Sequence, residues 1–309
     1  MKPMRSFKFR AFLMTILGLS LIASACGSSG GGSPSTTAKE SITLAGFNFN
    51  ESSIAMYIYG KALEAKGYTV TYKANLGNRE VVEPALASGQ IDFYPGYAAT
   101  ELEFLNKGKG EATPDAQATT AKLNTYLSAI GAKALDPSQA LDANAFAVTN
   151  ATADKYHLTK ISDLAPVANQ LVLGGPPECP TRPFCELGLQ NTYGLHFKDF
   201  KALDAGGPLT KTALKNGDID VGLVFSSDGG IVANNFVVLE DDKHLQNADN
   251  IVPIIRTAKL NSEITALFNK ISAGLTTTDL TQMNKSADID KQDPIDLATT
   301  YDKSHGYSK

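Results

Sequence analysis

One pattern in this chain occurs twice. Ala85-Leu86-Ala87-Ser88-Gly89-Gln90-Ile91-Asp92-Phe93 is echoed 128 residues later by Ala213-Leu214-Lys215-Asn216-Gly217-Asp218-Ile219-Asp220-Val221. Each copy reads as the end of a helix, a Gly just past it, and a strand that opens on Ile-Asp. A second pair, Thr43-Leu44-Ala45-Gly46 and Val172-Leu173-Gly174-Gly175, closes a predicted strand and lies 129 residues apart. Two matches in one order at one spacing predict two α/β lobes built to one βαβ-type plan. Ligands of open α/β sheets sit outside the carboxyl ends of the strands, so four loops are expected to face one cleft.

Helix and strand signals alternate along the rest of the chain. Ile54, Ile58, Tyr59, Ala62 and Leu63 stripe a helix that stops at Lys66-Gly67, before a strand from Thr69 to Lys73. Residues 79–88 predict a second helix capped by Asn78, with Pro84 as a source of a kink. Amphipathic helices are expected over 262–273 and 293–301.

Lys2, Arg5, Lys8 and Arg10 precede an apolar run from Ala11 to Ala25, which ends at Cys26. That layout is an export signal. The run is about 15 residues, short of the roughly 20 that span a bilayer, so residues 1–25 read as a cleaved segment. A cysteine directly after Leu21-Ile22-Ala23-Ser24-Ala25 resembles the lipobox of bacterial lipoproteins; the alternative is an ordinary signal-peptidase site. Residues 26–40, rich in Gly, Ser and Thr, read as a flexible tether. The expected location is the extracytoplasmic face of the cell membrane, reached through a lipid on Cys26.

With Cys26 lipidated, Cys179 and Cys185 remain as an even pair in a compartment where disulfides persist. They are expected to be bonded, free thiols or a metal site being the alternatives. The net charge is −4, and no basic stripe exists to neutralise phosphates, which argues against nucleic acid as a partner. Catalytic readings find little support. Ser226 and Ser227 lack a nucleophile elbow, and Asp241, Asp242 and His244 have no triad spacing. His157, His196, His244 and His305 form no metal-binding pair, and Gly206-Gly207-Pro208-Leu209-Thr210-Lys211-Thr212 lacks the Gly before Lys that a phosphate loop requires. Neither an enzyme, a metal nor a cofactor is expected.

The residues after the echoed strands are aromatic and polar: Phe93, Tyr94, Tyr97 and Thr100 follow Ile91, while Phe225, Ser226, Ser227 and Asp228 follow Ile219. Opposed rings can clamp a quaternary ammonium at about 0.5–2 kcal/mol per contact, the alternative being that they belong to the core. The strings Asn48-Phe49-x-Glu51, Asn75-Leu76-Gly77, Ile91-Asp92-Phe93-Tyr94-Pro95-Gly96-Tyr97-Ala98-Ala99-Thr100, Ile161-Ser162-Asp163-Leu164-Ala165, Phe225-Ser226-Ser227-Asp228-Gly229 and Val238-Leu239-Glu240-Asp241-Asp242-Lys243-His244 resemble the osmoprotectant (glycine betaine/choline/carnitine) ABC-transporter binding proteins.

The resemblance implies a type II periplasmic-binding fold, with two α/β lobes joined by a two-strand hinge around a ligand cleft. The first lobe would be residues 41–147 plus 252–309 and the second 148–251. The implied partners are a small-molecule ligand and ABC permease subunits in the membrane, with the binding protein a monomer. By the same resemblance Tyr97 matches a cage ring, Thr100 a neighbouring polar position and Arg182 the Arg that holds a carboxylate. Asn48 and Ser52 join them as candidate ligand contacts. Asn144 and Lys211 fall where the family has Tyr, and Phe225 is aromatic without the hydroxyl. A Lys211 facing the ligand would disfavour a betaine and suit an aromatic, polyphenolic or anionic molecule instead; a Lys211 pointing to solvent would not.

Overall fold

The computed structural model describes residues 39–308. Cys26, the apolar run before it and the tether as far as Ala38 lie outside the described residues. Ten strands form two five-stranded sheets among those described. The first half runs β1 (Ser41–Phe47), α1 (Asn50–Ala65), β2 (Thr69–Gly77), α2 (Arg79–Ala87), β3 (Phe93–Tyr97), α3 (Ala98–Leu105), α4 (Ala116–Leu127) and β4 (Ala132–Ala134). The chain then passes through β5 (Asn144–Thr149), α5 (Asn150–Tyr156), β6 (Val172–Gly175), α6 (Glu186–Gly188), β7 (Asp199–Ala202), α7 (Pro208–Asn216), β8 (Val221–Phe225), α8 (Gly230–Ala233) and β9 (Phe236–Val238). It returns through β10 (Ile251–Arg256) and ends in α9 (Ser262–Gly274), α10 (Thr277–Asp288) and α11 (Pro294–Ser304).

The two sheets have one plan. Their orders are β2-β1-β3-β10-β4 and β7-β6-β8-β5-β9, and in each the first three strands are parallel while the other two run against their neighbours. Both echoes fall at equivalent places. Gly89 and Gly217 end α2 and α7 with φ of 78° and 76°, a left-handed turn that a side chain would strain. The Asp that follows then clamps the sheet. Asp92 N donates to Thr43 O (2.7 Å) and its Oδ2 accepts from Thr43 N (3.0 Å). Asp220 N donates to Val172 O (2.9 Å) and its Oδ2 accepts from Val172 N (2.8 Å). Each Asp therefore closes the first rung between the central strand and the strand beside it, with its carboxylate standing in for a backbone carbonyl. Asp220→Ala should lower unfolding free energy by about 1–3 kcal/mol, because it orphans the Val172 N–H; urea titration at neutral pH reads this, and an unchanged midpoint would remove the clamp from the account.

The central strands are apolar on both faces, as strands covered by helices must be. All five residues of β3 are buried, and Tyr59 from α1, Phe93 and Phe268 from α9 meet with ring centroids 4.9–5.2 Å apart. The second sheet has a core on each face, one around Phe146, Leu173 and Leu223 and the other around Leu214, Ile219 and Val224. Most predicted helices appear within a few residues of their expected ends, although Asn78 precedes α2 without a side-chain cap bond and Pro84 is accommodated inside it.

The chain passes between the sheets twice, at 135–143 and 239–250. These passages run side by side: Leu141 bridges Asn250, and Asp142 N donates to Asp249 O (3.1 Å). The division expected at 147/148 falls inside β5, whose ladder partners, β8 and β9, both belong to the second sheet.

Candidate functional site

The ends of β1, β2 and β3 meet those of β6, β7 and β8 around a cavity of about 100 Å³. β1 delivers Phe47, Asn48 and Phe49; β2 leads to Asn78 and Arg79; β3 supplies Tyr97 and α3 supplies Thr100 and Phe104. The second sheet adds Asn144 from β5, Leu223 and Phe225 from β8, and the segment after β6. In that segment Cys179 and Cys185 are disulfide-bonded, with their Cα atoms 5.1 Å apart. The bond closes a short loop that presents Arg182, Pro183 and Phe184 to the cavity. Asn144 Nδ2 donates to Phe184 O (3.0 Å) and ties the loop to the sheet.

Four rings form a continuous wall. Phe47 lies 6.0 Å from Phe49 and 6.3 Å from Tyr97, Phe49 lies 6.0 Å from Tyr97, and Phe49 meets Phe225 of the other lobe at 5.5 Å. The Phe49–Phe225 pair lines this cavity and also a second one of about 250 Å³, so the two rings partition the cleft. Beyond the partition the lining carries carboxylates, Glu51, Asp204, Asp228 and Asp288, and no basic side chain.

Two guanidinium groups enter the aromatic cavity, one from each lobe. Arg79 is paired through Nε with Glu101 Oε2 (2.8 Å) and stands 5.1 Å from the Phe47 ring centre. Arg182 is paired with Glu80 and stands 4.9 Å from the Phe104 ring centre. Burial, and then the neighbouring Arg79, push the Arg182 guanidinium below its ordinary pKa. Two cations that raise each other's energy in a confined space make a seat for an anion, and planar guanidinium forks suit a carboxylate. Asp249 also lines the cavity, and burial pushes its carboxyl up to about 6 against the bonds from Thr100 and the field of Arg79. Tyr97 is buried with its hydroxyl on Glu51 (2.8 Å); burial first, and that carboxylate second, raise its pKa well above the usual range.

Six of the eight candidate contacts therefore meet at this cavity: Asn48, Tyr97, Thr100, Asn144, Arg182 and Phe225. Ser52 and Lys211 stand apart. Ser52 Oγ is fully buried in the first turn of α1 and accepts from Phe47 N (2.8 Å), so it shapes the loop that carries the rings. Lys211 lines neither cavity, because its ammonium is drawn between Asp228 (2.7 Å) and Asp288 (3.4 Å). Neither alternative for Lys211 describes that arrangement: it faces no ligand that it could repel, and it is buried rather than turned to solvent. Phe47, Phe49, Arg79, Phe104 and Phe184 were missed from sequence. Phe47 and Phe49 follow the first echoed strand, where the strand-end rule applies as it does after Ile91. Among the described residues no group of His, Cys, Asp and Glu is arranged to hold a metal ion, and no helix is long and apolar enough to cross a membrane.

Residues 40–304 match the family model of the substrate binding domain of ABC-type glycine betaine transport system. A glycine-betaine-binding protein of Pseudomonas aeruginosa is 29% identical over 279 residues, which cover 86% of this chain and 88% of that protein. The carnitine transport binding protein OpuCC of Listeria monocytogenes is 26% identical over 302 residues, 96% of each chain. The crystal structure of a glycine betaine/carnitine/choline ABC transporter protein superposes with a TM-score of 0.67 at 25% identity, over 86% of this chain and 99% of that one. The expected two-lobed periplasmic-binding fold is the fold shared with these neighbours. With its two matched sheets, its cleft between them and a family match over nearly all the described residues, this chain belongs to the substrate-binding domains of ABC-type glycine betaine transport systems.

Proposed function

We propose that the protein captures a small zwitterion with a quaternary ammonium and a carboxylate, glycine betaine first among candidates, and presents it to an ABC permease from a lipid anchor at Cys26. The observation that carries this reading is the meeting of Phe47, Phe49, Tyr97 and Phe225 with Arg79 and Arg182 in one cavity. Each ring face offers a methylated ammonium about 0.5–2 kcal/mol, while the guanidinium groups take the carboxylate. Four rings are present although two cage positions hold Asn144 and Lys211, because Phe47 and Phe49 fill the wall from β1. A volume of about 100 Å³ is well below the ~300–1,000 Å³ of pockets that enclose drug-sized ligands, which favours a compact solute over a polyphenol. The lobes are assigned as 41–134 with 251–308 and as 144–238, with the two crossing passages as the hinge.

Calorimetric titration with glycine betaine, carnitine, choline and a plant phenolic tests the assignment. Saturable binding of glycine betaine is expected, and Arg182→Ala should weaken it by about 10–100-fold, the worth of a hydrogen bond to a charged group, while choline, which has no carboxylate, loses little. Binding of the phenolic alone would remove the betaine reading and keep the fold. Detergent phase partition of the wild type against Cys26→Ala reads the anchor: the variant should move to the aqueous phase.

A further inference from the structure

Beside the aromatic wall, three polar side chains from separate parts of the chain converge on the hydroxyl of a fourth residue, Ser227. Ser227 Oγ, in the loop after β8, lies 2.5 Å from Glu51 Oε2 of α1 and 2.5 Å from Asp142 Oδ1 of the first crossing passage. Asn284 Nδ2 of α10 lies 3.1 Å from the same oxygen and 2.5 Å from Glu51 Oε2. All four residues are at least nine-tenths buried. A hydroxyl carries one proton and can donate to only one acceptor. With the Asn284 amide donating to it, Ser227 Oγ can satisfy one carboxylate, and the other must arrive protonated and donate in turn.

The partners decide which. Glu51 receives the Tyr97 hydroxyl on Oε1 and the Asn284 amide on Oε2, as an ionised carboxylate does. Asp142 Oδ1 has only the Ser227 N–H besides the hydroxyl (3.2 Å), and its Oδ2 is buried without a partner. We propose that Asp142 carries a proton in the closed cleft and donates it to Ser227, which donates to Glu51, so that this chain of two hydrogen bonds latches the lobes and closure on a ligand takes up one proton from solvent.

Burial, and after it the charge of Glu51, raise the Asp142 carboxyl well above its usual range, in the direction this arrangement requires. The charged and titratable groups around it do not supply a substitute for the proton. Arg79 is engaged by Glu101 and faces Asp249, Lys211 is held by Asp228 and Asp288, and Tyr97 already donates to Glu51. Parting the lobes would separate Glu51, Tyr97 and Asn284 from Ser227, admit water and let Asp142 ionise. The latch also fixes the Tyr97 ring through its hydroxyl, so the proton bears directly on the ligand wall.

The inference rests on the betaine reading for its ligand but not for its proton count, and the experiment separates the two. Titration of glycine betaine into the full chain between pH 5 and pH 8, in buffers of different ionisation heat, should show net proton uptake and a Kd that rises by up to about tenfold per pH unit. In Asp142→Asn, whose amide supplies the donor at every pH, the slope should flatten. A flat wild-type profile with no buffer-dependent heat overturns the proposal. A slope that persists in Asp142→Asn belongs to another acid, Asp249 foremost, and overturns it too. Infrared difference spectra of wild type against Asp142→Asn need no ligand: a protonated-carboxyl band near neutral pH that the variant lacks supports the proton on Asp142 even where glycine betaine fails to bind, and absence of the band with and without glycine betaine overturns it.

Discussion

Gly229→Ala is expected to weaken glycine betaine binding by about 5–150-fold while leaving the thermal midpoint of the ligand-free protein within about 2 °C of wild type. Gly229 stands at φ −64°, ψ −12°, a conformation open to any residue, so its backbone does not require glycine. What requires it is the neighbour. A Cβ there would lie 2.5 Å from Lys285 Cβ and 2.7 Å from the Lys285 Cα and N of α10. Gly229 belongs to the loop after β8 of the second lobe, whereas α10 packs with α1 on the first, so an added methyl is a wedge between lobes. Overpacking of this kind costs about 1–3 kcal/mol, and the cost falls on the closed form that holds the ligand. Calorimetric Kd and a thermal scan without ligand separate the cases. Unchanged affinity would show that liganded closure does not use this contact, and a large drop in the ligand-free midpoint would show that the contact is part of a rigid fold.

Asp302→Asn is expected to raise the thermal midpoint by roughly 4–8 °C at pH 8 and to lower it by roughly 2–6 °C at pH 4. Asp302 lies on α11 against α1 with no exposed surface, and neither of its carboxyl oxygens has a hydrogen-bond partner. Burial pushes its pKa up to about 8, with only Lys61 working in the other direction. An unfolded Asp titrates near 3.9, so between the two values the folded chain holds a proton that the unfolded chain does not. Stability is therefore highest at the acid end of this window and falls as the pH rises toward 8, by at most about 1.4 kcal/mol per unit. Asparagine keeps the neutral shape without that loss, and a net gain of about 2–4 kcal/mol at pH 8 allows for its own unpaired amide. Chemical unfolding of both proteins across pH 4–8 reads the difference. Parallel curves would mean that Asp302 ionises with water or Lys61 as its partner.

The two predictions draw on features of different legibility. The doubled plan was readable in the chain because its signals are local: a helix end, a glycine at positive φ and an Asp at the next strand span nine residues in each copy. The clamp role of Asp92 and Asp220 was not legible there, because it depends on Thr43 and Val172 of the neighbouring strands. The stops at Gly67, Gly89 and Gly217 and the helices after residue 262 were readable from local signals too. Asn48, Tyr97, Thr100, Asn144, Arg182 and Phe225 were reached through family resemblance and strand ends, and they do line one cavity. Their contacts with a ligand stand as part of the proposal.

Lys211 marks the limit of that approach. Its position in a family pattern said that a cation replaces a ring, but its charge is neutralised by Asp288, 77 residues away, and by Asp228 on a different loop. Phe47 and Phe49 looked like ordinary strand-end apolar residues, and only the approach of Phe225 from the other lobe makes them a wall. The carboxyl of Asp142 acquires its proton demand from Glu51, Ser227 and Asn284, none of them near it in sequence. By itself the sequence determined the α/β class, the repeated lobe plan and the family. The tertiary structure decided which rings face the cavity, which charges line it and which are drawn into pairs elsewhere, because burial and pairing depend on neighbours brought together from distant parts of the chain.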